Sequence, residues 1–142
     1  YPFVSFEEKH DEDVLRAPVP PLLIHNFVEN VFKHGLKPKG ITKIQLSAAW
    51  EDGKAIFQIE DDGRGMSQDI VDAMNTGVFK QEDMKVHVGM KNAYYRIRNF
   101  FGEDARLDVK SALREGTTII IQYRCELEKG KEANNGFTDS GR

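Results

Sequence analysis

The sequence predicts an α/β fold, a two-layer sandwich in which a mixed, mostly antiparallel sheet is covered on one face by about three helices. Two observations carry this. Four of the five strand-like segments alternate apolar and polar residues, the pattern of strands with one buried and one wet face. The elements run strand, helix, two strands, helix, loop, helix, two strands, and that order argues against a doubly wound parallel sheet, in which strand and helix alternate throughout.

Residues 1–6 read as a short strand and residues 7–13 as a charged turn. Val19-Pro20-Pro21 then leads into a helix, with proline where the first turn tolerates a missing N–H. At about 100° per residue, Ile24, Phe27, Val28, Val31 and Phe32 fill one helix face, and Asn26, Glu29, Asn30, Lys33 and His34 the other. Gly35 and Lys37-Pro38-Lys39-Gly40 end the helix. Ile44, Leu46, Ala48 and Trp50 form a strand, Asp52-Gly53 turns it back, and Ala55, Phe57 and Ile59 alternate again. Asp61-Asp62-Gly63-Arg64-Gly65 breaks that strand, and Ser67 can cap a short helix over residues 68–74.

Residues 75–88 have no regular apolar spacing. From Gly89 a helix follows, with Met90, Ala93, Tyr94, Ile97 and Phe101 on one face and Gly102 as its stop. Ala105, Leu107 and Val109 suggest a strand, and Gly116 opens the last one through Thr117, Ile119, Ile121 and Tyr123. The expected domain is residues 1–126, followed by a charged tail, residues 127–142, expected to be disordered.

The chain has 142 residues, 39% hydrophobic and 30% charged, which suits one domain with a real core. A net charge of −3 gives no global attraction to nucleic acid, and no nucleic-acid partner is expected. The only cysteine, Cys125, rules out an internal disulfide. No apolar run approaches the roughly 18 residues of a membrane span. A start at Tyr1, inside a strand-like run, is the start expected of a fragment.

Three places carry chemistry. The polar helix face pairs two asparagines one turn apart with Lys33 and His34. Asparagine offers a neutral oxygen to a hard cation and the other two offer donors to phosphate, although a decorated surface helix has a similar pattern. Asp61 shares parity with Ala55, Phe57 and Ile59, so its carboxylate points to the covered side of the sheet, where it costs free energy unless something donates to it. Gly63 and Gly65 let the backbone lie close to a flat ligand, or simply form an exposed turn. Val88-Gly89-Met90-Lys91-Asn92 opens a helix whose free N–H groups make an anion seat, and Lys80, Lys85, His87 and Lys91 can add charge there. Gly116-Thr117-Thr118 puts Thr117 on the inner parity.

Together these segments resemble the GHKL ATP-binding superfamily. Asn30 within Val28-Glu29-Asn30-Val31-Phe32-Lys33-His34-Gly35 resembles its N box, and Asp61-Asp62-Gly63-Arg64-Gly65-Met66 its first glycine box. Gly89-Met90-Lys91-Asn92 to Arg96 resembles the second and Gly116-Thr117-Thr118 the last, in family order over residues 19–124. Glu29-Asn30 followed by Lys33-His34-Gly35, and Gly89-Met90-Lys91-Asn92 with Arg96 and Phe101-Gly102, look like LytS/YesM-type sensor histidine kinases.

The resemblance implies the Bergerat fold, with ATP held between the helix layer and a mobile lid at residues 75–88. It implies that Asn30 binds Mg²⁺, that Lys33 and His34 face the phosphates, and that Asp61 accepts from the adenine amino group. Gly63, Gly65 and Gly89 would shape the pocket, and Thr117 would help hold Asp61 and the adenine edge. Asn26, Met66, Val88 and Met90 complete the implied nucleotide contacts, and Glu29, Asn30, Lys33 and His34 the implied catalytic set. Two departures stand out. His87 replaces the first glycine of the second box, and Asn26 stands where hydrolysing members carry a glutamate base. An amide cannot take a proton, so weak hydrolysis is expected.

The implied function is the catalytic and ATP-binding domain of a two-component sensor histidine kinase. It would pass the γ-phosphoryl of Mg-ATP to a histidine on a dimerisation domain absent from this chain. None of His10, His25, His34 or His87 makes a case as that acceptor. A response regulator would act with the full-length kinase, expected to be a membrane-bound homodimer with this domain in the cytoplasm of a bacterium. A GHKL serine kinase of the anti-sigma type, or a nucleotide-sensing module without transfer activity, are the alternatives the same fold allows.

Overall fold

The computed structural model describes residues 3–78, 80 and 88–129. Its elements are β1 (Phe3–His10), a 3₁₀ turn (Asp13–Arg16), α1 (Leu23–Asn30), a wider π-type turn (Val31–Gly35), β2 (Ile41–Glu51), β3 (Lys54–Asp61), α2 (Gln68–Thr76), α3 (Val88–Phe101), β4 (Arg106–Ala112) and β5 (Gly116–Arg124). One five-stranded sheet has the order β1-β2-β3-β5-β4. β1 runs parallel to β2 and every other pair is antiparallel, so the sheet is mixed and mostly antiparallel, as its patterning predicts.

The core lies on one face of the sheet. Ala55, Phe57 and Ile59 from β3, Leu107 and Val109 from β4, and Ile119, Ile121 and Tyr123 from β5 all point there. Leu23, Phe27 and Val31, then Val71 and Met74 of α2, then Ala93, Tyr94 and Ile97 of α3 cover them. Each such side chain contributes roughly 1.5–3 kcal/mol when fully buried. Asp52 (φ 51°) and Gly53 (φ 78°) both adopt the left-handed region, which a two-residue hairpin of matching twist requires.

Two boundaries differ from the sequence reading. The expected charged turn at residues 7–13 is strand as far as His10, because Glu7, Glu8, Lys9 and His10 pair in register with Gln45, Leu46, Ser47 and Ala48. Their charges suit an edge strand, which must discourage other chains. The short helix after Ser67 continues to Thr76, ending at Gly77 with φ 77°. Ser67 begins it through its backbone carbonyl, which accepts from the N–H groups of Ile70 and Val71, and its side chain makes no cap bond.

The face of α1 is also rotated. Phe32, placed inside by a uniform helical period, is 50% exposed, whereas Leu23 is buried with Phe27 and Val31. The Val31 N–H is shared between the Phe27 and Val28 carbonyls, and a π-type turn follows over Val31–Gly35. With Leu23, Phe27 and Val31 as the buried line, Phe32 lies roughly 140° from its centre at about 100° per residue, and so points to solvent.

Two donors fix the segment before α1. The Tyr123 hydroxyl donates to the Pro18 carbonyl (2.7 Å) and Arg96 Nη1 to the Pro21 carbonyl (2.9 Å). Tyr123 is itself held by the Phe101 ring, stacked at 3.6 Å and 10°. At the other edge of the sheet, the Asn75 carboxamide bonds both the N–H (2.7 Å) and the C=O (2.9 Å) of Val109, covering part of the unpaired side of β4.

Candidate nucleotide-binding site

The helix layer leaves a gap beside the ends of β3 and β5. Three pieces of chain meet there, the π-type turn after α1, the loop after β3 and the β4–β5 turn. They enclose a cavity of about 290 Å³. Phe27, Val31, Ile70, Met66 and Ile119 supply its apolar walls, and Asn30, His34, Asp61, Ser67 and Thr117 its polar ones. Leu113 stands at the rim. Apolar walls with a few convergent polar groups suit a flat heterocycle.

Asp61 is 7% exposed, on the inner face that its parity predicts. Its Oδ1 accepts from the Gly63 N–H at 2.9 Å, and no hydrogen bond to Oδ2 occurs among the described residues. Burial pushes its pKa up to about 6, against the pull of the Gly63 N–H and with help from the neighbouring Asp62 and Glu60 charges. A carboxylate kept this short of donors is poised to accept from a ligand.

The loop after β3 is clamped rather than loose. Gly63 packs directly on Gly35, whose carbonyl accepts from the Arg64 N–H at 2.8 Å. Arg64 Nε donates to the Leu36 carbonyl (2.7 Å), and Asp62 takes the Lys43 N–H (2.7 Å) and the Lys37 ammonium (3.0 Å). The fully buried Thr42 hydroxyl accepts from the Lys37 N–H at 2.9 Å. A Cβ on Gly65 (φ 72°) would overlap the Ala112 carbonyl, and one on Gly116 (φ 89°) the Asp61 carbonyl. These glycines therefore shape the cavity by letting three backbones touch.

Asn30 is half-buried on the cavity wall, and its carboxamide makes no hydrogen bond among the described residues. Asn26, Glu29 and Lys33 lie off that wall. Lys33 pairs with Glu29 at 2.9 Å, and His25 reaches the other Glu29 oxygen at 3.1 Å. The Lys33 ammonium holds the Glu29 carboxyl below its ordinary range. His34 lines the cavity and Lys33 points along the exposed helix surface.

A magnesium ion would take the Asn30 side-chain oxygen as its protein ligand here. Among the described residues no three His, Cys, Asp or Glu side chains converge on a point, so one neutral protein oxygen would be joined by phosphate oxygens and water, the habit of this ion. Val88, Gly89 and Met90 form the first turn of α3, as the glycine pattern predicts, and the amides of such a turn suit an anion. Residues 79 and 81–87 of the expected lid lie outside the described residues, as do residues 130–142 of the expected tail.

Ser111 is the site residue that the sequence reading missed. Its Oγ accepts from the Met66 N–H (2.8 Å), donates to the Gly116 carbonyl (2.7 Å) and contacts the Thr117 hydroxyl (2.8 Å). It shares parity with Leu107 and Val109 on β4. A polar residue on the inner parity is the same signal that singles out Asp61. Thr117 stands opposite Asp61 in the β3–β5 ladder, and its hydroxyl bonds Ser111 and not Asp61.

Residues 21–127 match the family described as "Histidine kinase-, DNA gyrase B-, and HSP90-like ATPase". The chain is 23% identical over 128 residues to the sensor protein LytS of Bacillus subtilis (strain 168), covering 89% of this chain and 21% of that protein. It is 27% identical over 121 residues to the sensor histidine kinase YesM of the same organism, covering 83% and 19%. The chain thus spans about a fifth of the length of these relatives. Among solved structures, the catalytic domain of the histidine kinase ThkA superposes with a TM-score of 0.63 at 14% identity, covering 85% of this chain and 78% of that one. The histidine kinase domain of the blue-light activated kinase from Erythrobacter litoralis EL346 gives 0.62 at 19% identity, covering 85% and 51%. The chain belongs to the histidine kinase-, DNA gyrase B- and HSP90-like ATPase family, as an ATP-binding catalytic domain of the kind found in sensor histidine kinases.

Proposed function

We propose that this domain binds Mg-ATP in the cavity between α1 and the β3–β5 strands and presents the γ-phosphoryl to a histidine on a dimerisation domain of the same protein. The observation that carries this reading is the pairing on one cavity of two groups with unused acceptors among the described residues: the second oxygen of the buried Asp61 carboxylate and, across from the sheet, the Asn30 carboxamide. The first suits a base amino group and the second a phosphate-bound cation.

In this reading Asp61 accepts from adenine, the apolar walls exclude water from its ring, and Asn30 gives one oxygen to Mg²⁺. The ion, when bound, neutralises charge on the phosphates during transfer. The chain supplies position and donors, the larger share of what phosphoryl transfer asks of a protein. On the described helix face neither Asn26 nor Glu29 offers a base for water. Asn26 cannot take a proton, and the Glu29 carboxylate is engaged by Lys33 and His25. Slow intrinsic hydrolysis follows, which preserves the phosphoryl group for its acceptor. Membrane anchoring, a homodimeric full-length kinase and transfer onward to a response regulator complete the proposal.

Calorimetric titration with Mg-ATP tests the binding half, and phosphotransfer in the full-length kinase tests the rest. Binding with no phosphohistidine in the full-length protein would favour a nucleotide-sensing module instead.

A further inference from the structure

The hydroxyl cluster behind Asp61 has a single consistent arrangement of protons. Ser111 has one hydroxyl proton. The Gly116 carbonyl can only accept, so at 2.7 Å the Ser111 proton goes there. The Met66 N–H can only donate, so at 2.8 Å it takes one lone pair of the Ser111 oxygen. The remaining contact, 2.8 Å to Thr117 Oγ1, then closes only if Thr117 donates. Ser111 is thereby saturated, with one bond given and two received. The proton of Thr117 is turned away from the cavity that its side chain lines, and only its lone pairs remain for a ligand.

We propose that Ser111 is a positioning residue that sets the base selectivity of the cavity: by taking the Thr117 proton it leaves Thr117 and Asp61 as an acceptor-only wall, which favours a 6-amino purine over its 6-oxo counterpart. This rests on the nucleotide reading above and deepens it. An exocyclic amino group brings two N–H donors to two acceptors. A 6-oxo purine offers only its N1–H as a donor and sets a carbonyl oxygen against the remaining lone pairs, and sites built to satisfy particular polar groups reject partners that leave them unpaired. Ser111 touches no ligand in this scheme. It acts through the hydroxyl of Thr117 and through the Met66 amide, which it holds at the cavity wall.

The test is titration of the 142-residue chain with Mg-ATP and with Mg-ITP, whose base carries oxygen in place of the 6-amino group. Wild type binds ATP the more tightly. Ser111→Ala frees Thr117 to rotate and donate, so the ATP-to-ITP affinity ratio falls by roughly five- to tenfold, and Ser111→Thr, which keeps the hydroxyl, restores it. A merely structural Ser111 would weaken both nucleotides by one factor and leave the ratio where it was, which overturns the proposal. Should Ser111→Ala fail to fold by its melting curve, Thr117→Val decides, since it removes the hydroxyl through which Ser111 acts. A ratio unchanged in that variant overturns the proposal equally. Wild-type chain that binds neither nucleotide sinks the nucleotide reading and this inference with it. Tight, Asn30-dependent binding with a ratio indifferent to Ser111 sinks this inference alone.

Discussion

Lys33 reaches back one helical turn to Glu29, Nζ to Oε1 at 2.9 Å, along the exposed surface of α1. The carboxylate next to Asn30 in sequence is therefore occupied by its own helix. Glu29→Gln should leave Mg-ATP affinity within about twofold and Tm unchanged, because exposed i,i+4 pairs contribute little. A tenfold loss of affinity in calorimetry would show that Glu29 leaves this pair to serve the nucleotide.

Asn30→Ala should abolish Mg-dependent nucleotide binding while the far-UV spectrum and melting cooperativity persist. The carboxamide faces the cavity and carries no internal hydrogen bond among the described residues, so its removal leaves no orphaned partner in the fold. Wild-type affinity for Mg-ATP in this variant would remove Asn30 from the metal site.

Asp61→Asn should trade affinity for stability. The amide brings a donor toward the base amino group, at a cost of about 1–3 kcal/mol in ATP binding. In the free domain, however, it removes a buried charge while keeping an oxygen for the Gly63 N–H, and Tm at pH 7.5 should rise by a few degrees, on the order expected for roughly 1 kcal/mol. A lower Tm at that pH would mean that the ionised carboxylate stabilises the free domain.

The wild-type domain should respond to pH in opposite ways with and without nucleotide. The folded Asp61 titrates at about 6, above the roughly 3.9 of an unfolded aspartate. Its contribution to folding is therefore full below the unfolded value and lost as pH rises through about 6. ATP affinity runs the other way, since protonation below about 6 removes the acceptor. Parallel melting and titration series between pH 4.5 and 7.5, a window on the order of this shift, check both signs, and Asp61→Asn should flatten each.

Gly65→Ala should destabilise by roughly 2 kcal/mol or more, measured in urea. The residue has φ 72°, and a Cβ would enter the Ala112 carbonyl. Loss of this contact also moves Met66, so ATP affinity should fall with stability. An alanine variant as stable as wild type would contradict the close approach of the two loops.

Much of this architecture was legible because strand parity is a local signal. Ala55, Phe57, Ile59 and Asp61 point the same way whatever surrounds them, and a carboxylate ending an apolar row marks a candidate site. The failures were of three kinds. Phe32 was misplaced because the face was centred one residue too far round, without Leu23, which is buried in line with Phe27 and Val31. Residues 7–10 look like a turn, since their pairing with β2 lies more than thirty positions away. Ser111 was overlooked because its partners Met66, Gly116 and Thr117 come from two other segments. The Arg96–Pro21 bond likewise joins residues that no local pattern connects.

Trp50, the only tryptophan in the chain, has consequences for how this domain can be watched. It sits on β2 opposite Ala55, six positions from Ile44, the partner of Asp61. At strand spacing that is roughly 20 Å from the cavity. Its indole N–H is buried near the Cys125 thiol and has no well-formed hydrogen bond among the described residues, so water or denaturant reaching it on unfolding alters its emission strongly. Nucleotide in the distant cavity has no ring to stack on it and no route to quench it. Intrinsic fluorescence thus follows the integrity of the hairpin and stays silent on occupancy, allowing melts at saturating ATP to be read without correction for the ligand.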